Sequence, residues 1–517
     1  MKRNFLFIVL AFCFFIPKYS FAEKNEKLIV FCFSIADSST FSTNERVADI
    51  VLKIGNKKMF HETVFVGDKL TIGKSFSNDS ILELQIKTYR GFVCEIRNGE
   101  EKLESSLVKN IKEIQDTVFI DLKIEENNKY QYLYYSLDEK TNKPYRIPAL
   151  AQTFEGTLLA VSDHRPCWAD IGFGEVDLKI RTSNDYKNWS EERFIANGLG
   201  GEENIFECGF GDAAIVADRE SNEVLIMCVA GRQAFPSATK DKHNFMARIR
   251  SNDGGKTWNK AEDVTSMFMK VEGIYSPILP EIYSMFFASG KIVQSKVFKA
   301  KNSKYYRLYA SLLTNGKNGH DNYVVYSDDF GESWQLLGGV CVEGGDEAKV
   351  EELSDGTIII SSRKPHGRFF NVFTFSNIAK AKGHWAKAVS SDKISGGINV
   401  GANSCNGELL RVRCISVESG KECDVLLQSL PTEDNRKNVT IFFKELKEDV
   451  SYSPESLAEN WIKGMQVSNK LSAYSTMILQ NDGKIGFLFE EEPNDYCIVY
   501  TSLSIEEVTN GLYKTIK

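Results

Sequence analysis

The sequence is poor in the features that mark several common functions. It has no Cys-x-x-Cys pair, and its six histidines (61, 164, 243, 320, 366 and 384) are scattered along 517 residues, so a zinc site has little support. Basic charge is not in surplus. The chain sets 63 Lys and Arg against 70 Asp and Glu, a formal net charge of −7, which speaks against a nucleic-acid surface. Beyond the first 22 residues, no apolar run reads as a transmembrane helix. Sustained helical periodicity is also missing; one segment, SPESLAENW (453–461), has moderate helical character.

What is present is a soluble globular composition, 42% apolar and 26% charged, in a chain long enough for two domains. Lys2 and Arg3 precede an apolar run from Phe5 to Ile16, and a short polar stretch ends in YSFA at Ala22. That is the layout of a secretory signal peptide, residues 1–22, cleaved after Ala22, and it predicts an exported protein: periplasmic, cell-surface or secreted. Export would permit disulfides among the ten cysteines that follow Cys13, and Cys405, Cys414 and Cys423 lie close together in sequence. Sequence alone assigns no pairing.

Short alternating strands then fill the chain. LIVFCFS, ADIVLKIG, SILELQIKTY and DTVFIDLKI, separated by turn residues, predict an N-terminal β-sandwich over residues 23–135. The polar stretch SLDEKTNKP (136–144) predicts the junction. Past it, period-two patterns recur in GTLLAVSD, VDLKIRTS, EVLIMCVAG, NYVVYSDD, GTIIISSR and KIGFLFE, with hairpin signals SDGT (354–357) and NDGK (481–484) between strands.

One motif organises this second region. Ser251, Asp253, Gly255 and Trp258 recur as Ser327, Asp329, Gly331 and Trp334, 76 residues later, and a degraded copy, SNDYKNW (183–189), lies 68 residues before the first. Each copy sits between strands. An Asp that accepts backbone N–H bonds in its own turn, a Gly at positive φ and a Trp packed under the hairpin explain every fixed residue as architecture. Strand units repeated at such spacing predict a β-propeller. The expected fold class is therefore all-β, a β-propeller over residues 136–517 preceded by a β-sandwich.

Just after the junction stands YRIPAL (145–150). An Arg-Ile-Pro at the head of the repeat region, with Asp-box motifs recurring behind it, resembles the secreted bacterial sialidases over roughly residues 140–505. The resemblance implies a six-bladed propeller, no cofactor and no metal, and sialylated glycans as partners. It also implies a retaining exo-α-sialidase with a covalent tyrosyl intermediate. Two other readings share the motifs: a trans-sialidase using the same residues, and a non-catalytic glycan-binding propeller, which would be expected to have lost one of them.

The resemblance carries over residue by residue. Three arginines hold the substrate carboxylate in the family; they match Arg146 in YRIPAL, Arg363 in GTIIISSRK, and Arg436 in LQSLPTEDNRKNVT. The last match departs from the pattern, with Leu430 in place of the usual asparagine. A planar guanidinium donates two parallel bonds to a carboxylate, so three can fix its plane. The acid/base carboxylate matches Asp170 in the loop PCWADIG, with Asp163 as its rival, and Arg165 matches a further arginine of the pocket. Apolar neighbours Trp168, Ala169 and Ile171 predict a raised pKa for Asp170. The nucleophile matches Tyr474 in SAYSTMILQNDGK. Its base matches Glu347 in DEAKVEELSDG, where Asp346 and Glu351 are adjacent alternatives and Glu352 reads as structural. Glu490, closing GFLFE, matches the glutamate that orients the first arginine. A neutral phenol suits a nucleophile that must approach an anomeric carbon already bearing a carboxylate, because a second anion would be repelled.

Overall fold

The computed structural model describes residues 26–35, 46–66, 68–77, 79–89, 92–124, 129–136, 144–269, 278–279, 281–317, 319–447, 451–492 and 496–516. The signal peptide expected at residues 1–22 and most of the polar stretch 136–144 lie outside them. The chain divides into two compact units, Met1–Asn128 and Lys129–Lys517.

The first unit holds two sheets. One runs in the order Lys69–Ser77, Glu26–Ile35, Thr117–Ile124, Phe92–Asn98, Glu101–Leu103; the other runs Lys57–Phe65, Arg46–Ile54, Ile81–Thr88, Ser106–Asn110. Each buries the apolar half of its alternation. Ile29, Phe31, Val118, Ile120 and Ile96 are inward in one, and Ile50, Leu52, Leu82 and Leu84 in the other.

The second unit carries six sheets of four to six strands among its described residues. The unit is a β-propeller. Each sheet meanders antiparallel, as in Tyr145–Gln152, Leu158–His164, Asp177–Ser183 and Arg193–Ala196. Apolar clusters join consecutive sheets. Ala149, Leu159, Val161 and Ile180 of the first pack with Phe210, Ile215, Val224 and Ile226 of the second. Tyr309, Val324 and Tyr326 pack with Val350, Ile358 and Ile360 in the same way further round.

The ring is closed by an early strand. Tyr130–Tyr134 pairs antiparallel with Cys497–Leu503 in the last sheet, and Leu133 and Tyr134 are buried with Leu150, Leu158, Ile478, Leu488 and Tyr500. Residues 130–134, assigned from sequence to the N-terminal domain, therefore belong to the second unit. The predicted helical segment is a single turn, Pro454–Ala458, capped by Ser453.

The repeated motif forms a tight turn. Asp253 Oδ1 accepts from Thr257 N (2.9 Å), and Asp329 Oδ1 from Ser333 N (2.9 Å). Gly255 and Gly331 have φ of 82° and 79°. A Cβ on either would strike a leucine of the preceding sheet, Leu159 at 2.9 Å or Leu225 at 2.5 Å. The turn thus fastens one sheet to the one before it. In the degraded copy no glycine is available, and Tyr186 takes the left-handed conformation (φ 65°).

Bulges at three inner strands position the centre. The pairing register shifts between Arg146 and Ala149, between Gly211 and Ala214, and between Ser472 and Ser475. Those shifts bracket Ile147 (φ 58°), Asp212 (φ 54°) and Tyr474. A bulge re-aims side chains that regular pleating would send elsewhere.

Candidate active site

Tyr474 is the hub. Its hydroxyl donates to Glu347 Oε2 at 2.6 Å and accepts from Arg363 Nη1 at 3.0 Å. Arg363 Nη1 also donates to Glu347 Oε2, at 2.6 Å. The Arg146 and Arg436 guanidinium carbons lie 5.7 and 5.6 Å from the Tyr474 ring centre. All three predicted arginines thus gather around one tyrosine, although they come from the first strand of one sheet, the end of another and a turn of a third. Burial pushes the Tyr474 phenol well above its ordinary range, and the Glu347 charge adds to that, against the opposing Arg363 and Arg436. Tyr474 is therefore a neutral phenol with a carboxylate already on its proton.

Each partner is held in turn. Glu490, fully buried, accepts from Arg146 Nε (2.8 Å) and Nη2 (3.2 Å), from Ile147 N (2.8 Å) and from Tyr474 N (3.0 Å). One carboxylate therefore orients an arginine and fixes the backbone of two bulges, including the left-handed isoleucine, a costly conformation for a β-branched residue. Arg363 Nε meets Ser404 Oγ at 3.1 Å and Asp346 Oδ2 at 3.3 Å. Arg436 stands in the turn between Glu422–Glu433 and Lys437–Leu446 with φ 58°. Its guanidinium has no carboxylate partner among the described residues.

The alternatives raised by the sequence separate cleanly. Glu347 reaches the phenol, and Asp346 instead faces Arg363. Glu351 pairs with Lys291 (2.9 Å), and Glu352 accepts from Ser295 and from Lys296 N (2.6 Å). Asp170 sits on its loop with a 61% exposed carboxylate, 2.7 Å from Arg165 Nη2. The apolar surroundings expected around Asp170 are not what its side chain meets: its neighbour is a cation, and its other face is open to water. Asp163 is fully buried, 3.2 Å from the same Arg165 nitrogen, and accepts from Asp212 N (3.1 Å). Burial raises Asp163 to about 7 despite the opposing Arg165. Arg165 Nε is buried with no hydrogen-bond partner among the described residues.

Two residues at the centre carry no sequence signal. Asp212 is buried and pushed well above its ordinary range, first by burial and then by Asp163, Asp170 and Glu347. Tyr496 lays its ring 5.0 Å from the Arg146 guanidinium. Asp212 could have been suspected only from its place, a lone acid in the apolar inner strand Phe210–Ala217.

No protein-family model matches the chain. The comparisons with individual proteins agree with one another. A sialidase of Micromonospora viridifaciens is 30% identical over 228 residues, covering 42% of this chain and 32% of that protein. A sialidase of Bacteroides fragilis is 25% identical over 369 residues, covering 67% of this chain and 60% of that protein. The chain is related to the bacterial sialidases. It spans between a third and two-thirds of the length of these two relatives. In fold, this sialidase relative is similar to the Hadza microbial sialidase Hz136, with a TM-score of 0.59 and 16% identity over 94% of this chain and 95% of that one. It is also similar to the leech intramolecular trans-sialidase, with a TM-score of 0.58 and 13% identity over 94% and 95%.

Proposed function

We propose that the chain is a retaining exo-α-sialidase that releases terminal sialic acid from glycoproteins, glycolipids or oligosaccharides. The observation that carries this reading is the Tyr474–Glu347 hydrogen bond of 2.6 Å, set among Arg146, Arg363 and Arg436. In this reading the three guanidinium groups bind the sugar carboxylate and fix the anomeric carbon above the phenol. Asp170 donates its proton to the leaving oxygen as the glycosidic bond breaks. The Tyr474 oxygen attacks the anomeric carbon while its proton passes to Glu347, giving a covalent sialyl–tyrosyl intermediate. Water, deprotonated by Asp170, then displaces the tyrosine, whose oxygen recovers the proton from Glu347. Two inversions give retention. The chain would be exported, with cleavage after Ala22.

The test is release of a fluorophore from a sialic acid glycoside by the mature protein, alongside Tyr474→Phe and Asp170→Ala. No release by the wild type would end the enzyme reading, and full activity in Tyr474→Phe would remove the assigned nucleophile. Intramolecular transfer is the second reading, favoured by the fold shared with the leech intramolecular trans-sialidase. Mass analysis of the product separates the two, because an internal acceptor yields a sugar one water lighter than free sialic acid.

A further inference from the structure

We propose that Lys349, Glu408 and Thr476 form a clamp, one row beneath the Tyr474–Glu347 pair, that sets the distance between nucleophile and base; the proposal rests on the roles given to those two residues above. Glu347 and Tyr474 belong to different sheets, at the head of Ala348–Glu352 and within Ser472–Leu479. These two strands are not backbone-paired with each other. Side chains alone must hold the 2.6 Å contact.

Two residues beyond each partner stands another buried polar side chain. Lys349 follows Glu347 at the strand period, while Ala348 and Val350 between and beyond them turn into the apolar core. Thr476 follows Tyr474. Glu408, fully buried, links them: its Oε2 accepts from Thr476 Oγ1 at 2.9 Å and lies 4.0 Å from Lys349 Nζ. Lys349 also donates to the Ser289 carbonyl. The three groups close on one point. A Cβ built on Gly290 (φ 103°) would fall 2.8 Å from Lys349 Nζ, 3.1 Å from Glu408 Oε2 and 3.3 Å from Thr476 Oγ1. The Gly290 backbone therefore caps the row, and no side chain fits there. Below, Lys291 pairs with Glu351 at 2.9 Å and donates to the Leu409 carbonyl at 2.9 Å.

Charge alternates down this column, from Glu347 to Lys349 and Glu408 to Lys291 and Glu351. Burial lowers the Lys349 ammonium, and the Glu408 and Glu347 charges hold it up. The glycosidase chemistry uses none of the lower residues directly. Their consequence is positional: Glu408 is the group that touches both supporting side chains, so loosening it frees the two strands to shift relative to each other.

The experiment compares Glu408→Gln, which keeps size and loses charge, with Thr476→Val, which loses one hydroxyl, and with the conservative Thr476→Ser. Turnover of a fluorogenic sialoside and crystal structures of the variants are the readouts. Displacing a reacting group by about 1 Å can cost about 10²-fold, and that loss in kcat is expected for Glu408→Gln, with a smaller loss for Thr476→Val. KM should be unchanged, because the arginines are not touched, and Thr476→Ser should restore kcat. The Tyr474–Glu347 separation should open beyond hydrogen-bond reach in Glu408→Gln. Folded variants that keep both kcat and the 2.6 Å contact overturn the clamp. So does a parallel loss of kcat and affinity with the contact intact. An inactive wild type would instead overturn the function proposed above, and the measured separation in the variants would still decide the clamp.

Discussion

The two halves of the candidate site are built differently. Around Tyr474 the groups are buried and preassembled: Glu347, Arg363 and Glu490 reach their partners in the absence of any ligand. Around Asp170 the carboxylate is 61% exposed on a loop and holds a single cation, Arg165, which it shares with the buried Asp163. The contrast follows from what each half must do. A phenol far above neutral in its ionisation is a nucleophile only if its proton has somewhere to go at once, and that demands fixed geometry in a dry setting. A proton donor to a departing alcohol must face the side from which the rest of the glycan enters and leaves. Its environment is completed by the substrate, whose bulk would displace water from the exposed face and thereby favour the protonated acid.

The largest break in this comparison should come from the fixed half. Tyr474→Phe or Glu347→Gln is expected to lower kcat by several orders of magnitude with every leaving group, as loss of a nucleophile or its base does. A loss that varied with the leaving group would reverse the assignment of the two halves. Next comes Asp170→Ala, whose effect should depend on the substrate. The loss should be about 10²–10⁴-fold for sugar aglycones and roughly tenfold for a phenolic aglycone that leaves without help. Parallel kinetics on the two substrate types provide the check.

A smaller effect concerns pH. Asp163, raised to about 7, holds its proton more tightly folded than unfolded, where an aspartate ionises near about 3.9. A raised carboxyl contributes stability that is fully present below the unfolded value and lost as pH rises through the folded one. The melting temperature should therefore fall between about pH 4 and pH 7, and Asp163→Asn should flatten that slope. A slope unchanged in the variant would move the proton elsewhere. The smallest effect belongs to the rim: Asp253→Ala removes the acceptor of Thr257 N and should cost about 1–3 kcal/mol of stability with kcat unaltered. Loss of activity without loss of stability there would give the repeated turn a role beyond fastening.

Much of the site could be read from the sequence because its members sit at strand ends, where a motif is local. Arg146 heads its strand, Arg363 ends one, and Tyr474 precedes an Asp-Gly hairpin, so pattern order along the chain predicted residues that lie together in space. The misses have a common cause. Asp212 owes its place to a bulge and a positive φ, and Tyr496 to the approach of a chain segment across the Arg146 guanidinium; neither leaves a local pattern. The apolar letters beside Asp170 were a poor guide because a loop need not bury what flanks an acid. The strand 130–134 was misassigned because its alternation is the same whichever sheet it joins; its partner lies more than 360 residues away, at Cys497–Leu503.

That latch has a kinetic consequence. Pairing segments so distant in sequence carries a large loop-closure entropy, which is recovered only when the intervening sheets are already compact. On the ribosome, Tyr130–Tyr134 emerges early and must wait, its edge unsatisfied, until nearly all the rest of the chain has been made. The ring is therefore expected to lock in a late step, and a slow final phase in refolding, accelerated when the two strands are joined in a circularly permuted chain, would be its signature. In the cell, that waiting strand is the place where a chaperone or a second nascent copy would compete with the protein's own last sheet.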